Sequence, residues 1–464
     1  MSVQALLAAL PLLVILVAML ALRWSAARAG AAGLAVTLLI AWFGFGYGSR
    51  VLPELGVGLA TGGALAEALF IAATILWIIF PALCIHELQL RTGAIDVLRL
   101  AMGRLSNDPR IVALLVAWFF VLFVEGAAGF GTSVALAAPF LVSAGFRRVE
   151  AVTIALVGHA VGVSFGAVGT PVLAQVAVTP YTGLEIAAAT GIYHGLVGWL
   201  MPLVAMLLVT RSLPRDQRLG AGAWGWTLLA AALFLVPHTL IATFVGPELP
   251  TLGGALIGAV GFVAALLLTQ RLQRRGTERS ETVPTAMDAT GATDASDDAL
   301  ATSAPATHAA TVGPRASGAL RPSALLRAAA PYLVLVVAVL VTRLVPSVQE
   351  ALSNVTIAWR ADAFGASFAP LYHPGTMLLL GFAVGAAWQR AARADVVRAM
   401  RLAALKLAPV TVALVAMLGL SRLMVYAGMV DALASAAALA AGAAWPLFAP
   451  FVGMLGTFVT GSAT

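Results

Sequence analysis

Apolar stretches long enough to cross a bilayer recur along nearly the whole of this 464-residue chain. They fall near 5–22, 30–47, 65–85, 111–145, 150–170, 184–210, 225–245, 251–270, 328–345, 375–388, 405–420 and 427–459. A hydrocarbon core about 30 Å thick needs about 20 such residues per helical pass. Within it every backbone N–H and C=O must be satisfied by the protein itself. Composition agrees, since 61% of residues are hydrophobic and only 10% are charged, against roughly a half and a quarter in soluble domains. The chain reads as an all-α polytopic membrane protein embedded in a lipid bilayer.

A net charge of +7 would also suit a nucleic-acid binder. The arginines, however, gather in the short segments between apolar runs: Arg23 and Arg28; Arg91, Arg99, Arg104 and Arg110; Arg147 and Arg148; Arg211, Arg215 and Arg218; Arg271, Arg274, Arg275 and Arg279; Arg390, Arg393, Arg398 and Arg401. That is the positive-inside pattern, and no nucleic-acid partner is expected. Placing Arg23 and Arg28 in the cytoplasm puts the N-terminus outside and returns the later clusters to the inside. The first apolar segment lacks a basic stretch before it and reads as an uncleaved span. The single cysteine, Cys84, excludes an internal disulfide and a cysteine-rich metal site.

Two segments stand out. Arginines flank 111–145 on both sides, so both of its ends should be cytoplasmic. At about 1.5 Å per residue it makes roughly two passes of 26 Å, which fits a helical hairpin turning within the membrane at "EGAAGFGTS". Residues 271–325 are instead rich in Ala, Thr, Ser, Asp and Pro. Such a composition buries too little surface to offset ordering entropy. It reads as a disordered cytoplasmic linker between an N-terminal membrane half, 1–270, and a C-terminal half, 326–464. The halves look related, since "FVEGAA" at 123–128 is echoed by "FVTGSA" at 458–463. A hairpin ending at Thr464 lacks its return arm, so the expectation is a piece of a longer chain, truncated within its second hairpin.

The chemistry concentrates at the glycine-rich breaks. Glu125 is an acid at membrane depth, where an ionised side chain costs about 2.5–3.5 kcal/mol and marks function by default. It is a candidate proton carrier; the competing reading is a brace for the adjacent turn. Gly126, Gly129 and Gly131 free backbone amides, and a helix restarting at Thr132 and Ser133 aims its positive end into the break. That arrangement suits a small carboxylate, whereas close packing of small residues is the plainer explanation. "HAVGVSFGAVGTP" at 159–171 has the same character, with Ser164, Gly166 and Thr170 as candidate ligands and His159 as a relay. "GVSFG" also matches a nucleophile elbow, so an intramembrane serine hydrolase using Ser164 and His159 is the alternative from another class, but its surroundings are an apolar helix rather than strand–turn–helix. Arg422 interrupts an apolar segment; snorkelling to an interface is the commoner explanation, pairing with a carboxylate the other. No metal or other cofactor is expected.

Three stretches, "AWFFVLFVEGAAGFGTSVALAAPFLVSAGF" (117–146), "VSFGAVGTPV" (163–172) and "LGTFVTGSAT" (455–464), resemble the L-lactate permease family of bacterial lactate/glycolate–proton symporters. Ala463 departs from an acid usual in the family's last motif, and His159–Ala160 from an Asn–Thr pair. The resemblance implies a fold like that of the ion-transporter superfamily, with two inverted-repeat halves, re-entrant helical hairpins and elevator-like motion. It also implies a bacterial cytoplasmic membrane, a small carboxylate and protons as partners, and Gly461, Ser462 and Thr464 as further substrate-binding residues. Assembly into a homo-oligomer is left open.

Overall fold

A computed structural model describes residues 3–281 and 322–460, apart from 104, 107, 130–131, 178 and 214–221. Among the described residues ten helices are long and apolar enough to cross a membrane. An eleventh span arises if Gly183–Val197 and Leu200–Ser212, bent by 41°, count as one. The protein is a multi-pass membrane protein. Three of the twelve apolar runs read from sequence resolve into shorter pieces, 184–210 being the bent pair just named. Residues 111–145 divide into Pro109–Ala128 and Thr132–Ser143, and 427–459 into Met429–Ala441 and Trp445–Thr460, while Pro374–Trp388 is a short apolar helix.

Two corrections concern the edges of the sequence reading. Part of 271–325, expected from sequence as linker, is helical: one helix runs on through Pro250–Glu281 and the next starts at Pro322. The basic stretch after 270 suits a helix C-terminus, where positive charge opposes the dipole. The remainder, 282–321, lies outside the described residues. The chain is also not wholly helical. Ile357–Ala361 and Phe364–Phe368 pair antiparallel, with Ile357 opposite Phe368 and Ala361 opposite Phe364. Asp362 turns the ribbon at φ 50°, a conformation that aspartate tolerates better than most residues.

The framework is a pair of long helices drawn from opposite ends of the chain. Gly56–Arg91 packs along Arg393–Tyr426, and Ala26–Leu39 packs on the latter. Small residues allow the close approach: Ala416 faces Gly30, and Gly419 meets Leu34 and Leu65. Three ion pairs join the long helices at separate levels, Arg91 lying 3.9 Å from Asp395 at one end. Glu67 lies 3.7 Å from Arg422, and Glu87 binds Lys406, the single lysine of the sequence. The order 67 to 422 and 87 to 406 fixes the helices as antiparallel. At the Arg91 end Gln389 donates to Gln89, which donates to the Ala328 carbonyl, tying in Pro322–Leu344 and Pro374–Trp388.

The span carrying Glu125 starts with Asp108 as its cap, accepting from the Arg110 amide at 2.9 Å and its Nε at 3.0 Å. Burial alone would raise the Asp108 pKa. Hydrogen bonds and the charge of Arg110 outweigh it and hold the carboxyl below its ordinary value. The span is buried throughout 111–128 and includes a π-helical turn at Leu114–Phe120. There the Ala117 carbonyl abuts the Cα of Gly158, a site with no room for a side chain.

Glu87 is buried whereas Lys406 is half exposed. Lys406→Met should therefore lower the thermal unfolding midpoint in detergent by several degrees, short of the ~3–5 kcal/mol of a fully buried pair. Glu87→Gln/Lys406→Met should recover most of that loss in the same melt.

Candidate functional site

Two interrupted helices meet around Glu125. The first ends at Ala128, where Gly129 turns the chain with φ 57° and ψ −152°, a region essentially reserved for glycine. A twelve-residue helix, Thr132–Ser143, then packs back against Val121–Ala128 and the π-helical turn. The second interruption follows a 3-10 stretch, Ala160–Phe165. Ala167, Val168 and Gly169 all take left-handed backbone angles before the helix resumes towards Val176. Two non-glycine residues in that region are strained unless their surroundings hold them. Thr170 helps to hold them, its hydroxyl donating to the Ala167 carbonyl at 2.5 Å.

The breaks face each other. A Cβ built on Gly129 would lie 2.9 Å from the Cβ of Ala167, and one on Gly166 would lie 2.7 Å from Glu125 Oε1. Glu125 is buried, and its Oε2 accepts from the Ser133 hydroxyl at 2.6 Å. Its carboxylate thus bridges the first break, from the last turn of one helix to the first turn of the next. A negative group at a helix N-terminus is favoured by the dipole and by the unpaired amides of the first turn.

The sequence candidates divide accordingly. Glu125, Gly129, Ser133, Gly166 and Thr170 come together at the paired breaks. Thr132 opens the restarted helix. Gly126 serves packing, since a Cβ there would reach within 2.5 Å of the Leu252 amide nitrogen. His159 makes a 2.7 Å contact between Nδ1 and the Leu156 carbonyl. Gly131, Gly461, Ser462 and Thr464 lie outside the described residues.

Ser164 corrects the hydrolase alternative. Its hydroxyl contacts His194 Nε2 at 2.9 Å, not His159, and that imidazole neighbours His238 with ring centroids 5.8 Å apart. Arg422 corrects the snorkelling expectation: it is largely buried beside Glu67 and donates to the Ala177 carbonyl. Sequence reasoning passed over Glu67, Glu87 and Glu248, three buried acids inside or beside apolar helices. The signal for finding them was the same as for Glu125, an acid next to an apolar run.

These features define a class: a helical, multi-pass membrane protein in which two broken helices meet at a buried carboxylate. The family follows from comparison. A model of the L-lactate permease family matches residues 4–368 and 356–464, and the chain belongs to that family. It is 28% identical over 467 residues to an L-lactate permease of Streptococcus iniae, covering 99% of this chain and 88% of that protein. It is 31% identical to an L-lactate permease of Bacillus subtilis, over 57% of this chain and 44% of the relative. Glycolate permease GlcA of Escherichia coli is 30% identical over 57% of this chain and 45% of its own length. No solved structure matches.

Gly129→Ala and Gly166→Ala should each abolish transport while the protein still inserts. The first forces a side chain into a backbone region costing about 1–3 kcal/mol, and the second collides with Glu125 Oε1. Gly58→Ala, at a helical position with open space around it, is the control and should retain wild-type flux in the same assay.

Proposed function

We propose that the protein is a secondary active transporter that imports a small 2-hydroxycarboxylate, L-lactate or glycolate, by proton symport across the bacterial cytoplasmic membrane. The observation that carries this reading is the buried Glu125 carboxylate seated between the two breaks, bound to Ser133 at the start of a helix. The substrate class comes from the relatives, which include both lactate and glycolate permeases.

The geometry supplies a coupling logic. While ionised, Glu125 occupies the positive end of Thr132–Ser143 through Ser133. A protonated Glu125 no longer neutralises that helix end, which is then free to attract the carboxylate of a substrate. Proton and anion would thus enter together, because each makes the other's site more favourable. The lactate hydroxyl would find further partners among the break residues.

Thr132–Ser143 is also the return arm of a re-entrant hairpin in this reading. Twelve residues span about 18 Å, too little for a hydrocarbon core of about 30 Å, and arginines flank the hairpin on both sides. An inverted repeat in the C-terminal half and an elevator-like movement complete the proposal. In a Cys84→Ala background, Ser106→Cys and Arg147→Cys should both react with an impermeant maleimide from the cytoplasmic side only. Labelling from opposite faces would exclude the hairpin.

Counterflow in proteoliposomes with a panel of hydroxy acids tests the substrate, and lactate and glycolate should exchange best. Glu125→Gln should abolish proton-driven accumulation yet keep exchange, which needs no net proton transfer. Accumulation at wild-type level in Glu125→Gln would remove it as the proton site.

A further inference from the structure

Glu67 is buried twelve residues into the helix Gly56–Arg91, about 16 Å from its start at the usual rise per residue. An acid at that depth is costly and needs a reason. Its partners are unusual. Tyr426 donates its hydroxyl to Glu67 Oε2 at 2.5 Å, while Arg422 stands 3.7 Å from Oε1. A seated guanidinium–carboxylate pair closes to about 2.7–2.9 Å and is often bidentate. Arg422 is therefore not seated on Glu67.

The guanidinium instead donates to the Ala177 carbonyl. Ala177 ends the helix Gly166–Val176, the one that resumes after the second break. The carbonyl end of a helix carries partial negative charge and attracts cations. Buried Arg422 Nε has no hydrogen-bond partner among the described residues. One under-satisfied cation is thus shared between a carboxylate on the long-helix framework and the end of the helix that carries the break.

Few other groups could interfere. Among the described residues, the titratable groups facing Glu67 are Arg422 and Tyr426 from Arg393–Tyr426, and Tyr47 from the loop preceding its own helix. Phe364 of the ribbon covers the cluster, stacking edge-on to Tyr426 with centroids 4.9 Å apart and closing over Gly63 one turn before Glu67. Of the other buried acids, Glu87 is paired with Lys406 and Glu248 with Arg343, and Glu125 lies on a helix that also packs against Gly56–Arg91.

We propose that Glu67 is a second protonation site of the transport cycle, and that Arg422 is the positioning residue it controls. Ionised Glu67 draws Arg422 towards the framework. Once Glu67 is protonated, the carboxylic acid keeps its hydrogen bond with Tyr426, and Arg422 commits to the end of the broken helix. Proton occupancy at Glu67 then sets how firmly the second break is held to the long helices. This rests on the reading of the chain as a proton-coupled anion transporter.

The test begins without any substrate, so that it stands apart from that reading. Infrared difference spectra of the full chain in lipid across a pH titration should show a carboxylic-acid C=O band that Glu67→Gln removes and Glu125→Gln leaves. A spectrum unchanged in Glu67→Gln overturns the proposal, whatever the transported anion. Flux then defines the role. With one coupled proton, a gradient of about one pH unit concentrates the anion about tenfold, and Glu67→Gln should lose that accumulation while L-lactate counterflow persists with a flattened pH profile. Retained accumulation overturns the proposal. Should counterflow also disappear, Glu67→Gln/Arg422→Gln decides. Recovery of counterflow without accumulation supports a coupling site, and any other result of the double variant overturns it.

Discussion

Interrupted backbone in an apolar helix must find partners within the protein, and this chain interrupts two such helices. The interruptions are tolerable because each is packed against the other: Gly129 lies on Ala167, and Gly166 lies on the carboxylate of Glu125. The rest of the site depends on that contact. It sets Ser133 within hydrogen-bond reach of Glu125, and Thr170 secures the left-handed turn from the other side. Irregular backbone inside a membrane protein is accepted only where protein or a polar cavity lines it. Here the lining is a second break.

Around this centre the charges are arranged by helix rather than by position in the chain. Gly56–Arg91 carries Glu67 and Glu87, and Arg393–Tyr426 carries Lys406 and Arg422. The buried acids sit on one rod and their cationic partners on the other, with Arg91 and Asp395 pairing in the opposite sense at one end, so the pairing enforces both register and direction. A buried ion pair is weak evidence for stability, and its best-attested use is to specify register. Arg343, over the Tyr372 ring at 3.8 Å and bound to Glu248, plays the same part between Pro322–Leu344 and the residues before Pro250.

The sequence made the membrane-spanning helices legible because bilayer thickness imposes span length directly. It also exposed the first break, since "EGAAGFGTS" is a poor helix wherever it is placed. Other features were hidden for physical reasons. Ala167 and Val168 are helix-compatible residues held left-handed by tertiary contacts, which no local propensity reports. The pairing of Ser164 with His194, and of Glu67 with Arg422, depends on helices that meet only after the chain has folded. The ribbon at 357–368 is short and lies between spans, so the hydropathy pattern gave it no weight. Thr132, Glu125 and Ser133, by contrast, were readable as a unit, because an acid, a break and hydroxyls at a helix start are local.

The two framework helices are made far apart in time. Glu87 precedes Lys406 by 319 residues, and Glu67 precedes Tyr426, one turn from Arg422, by 359. At roughly 5–20 residues per second of synthesis, each acid waits on the order of tens of seconds in the half-made protein before its partner leaves the ribosome. During that interval the helix Gly56–Arg91 holds two carboxyl groups in or beside lipid with no cation available from the C-terminal half. It must wait with them protonated, or lie near the membrane surface, until the last long helix arrives. The charge pairing of the framework is therefore completed late, by the span that brings the chain's single lysine.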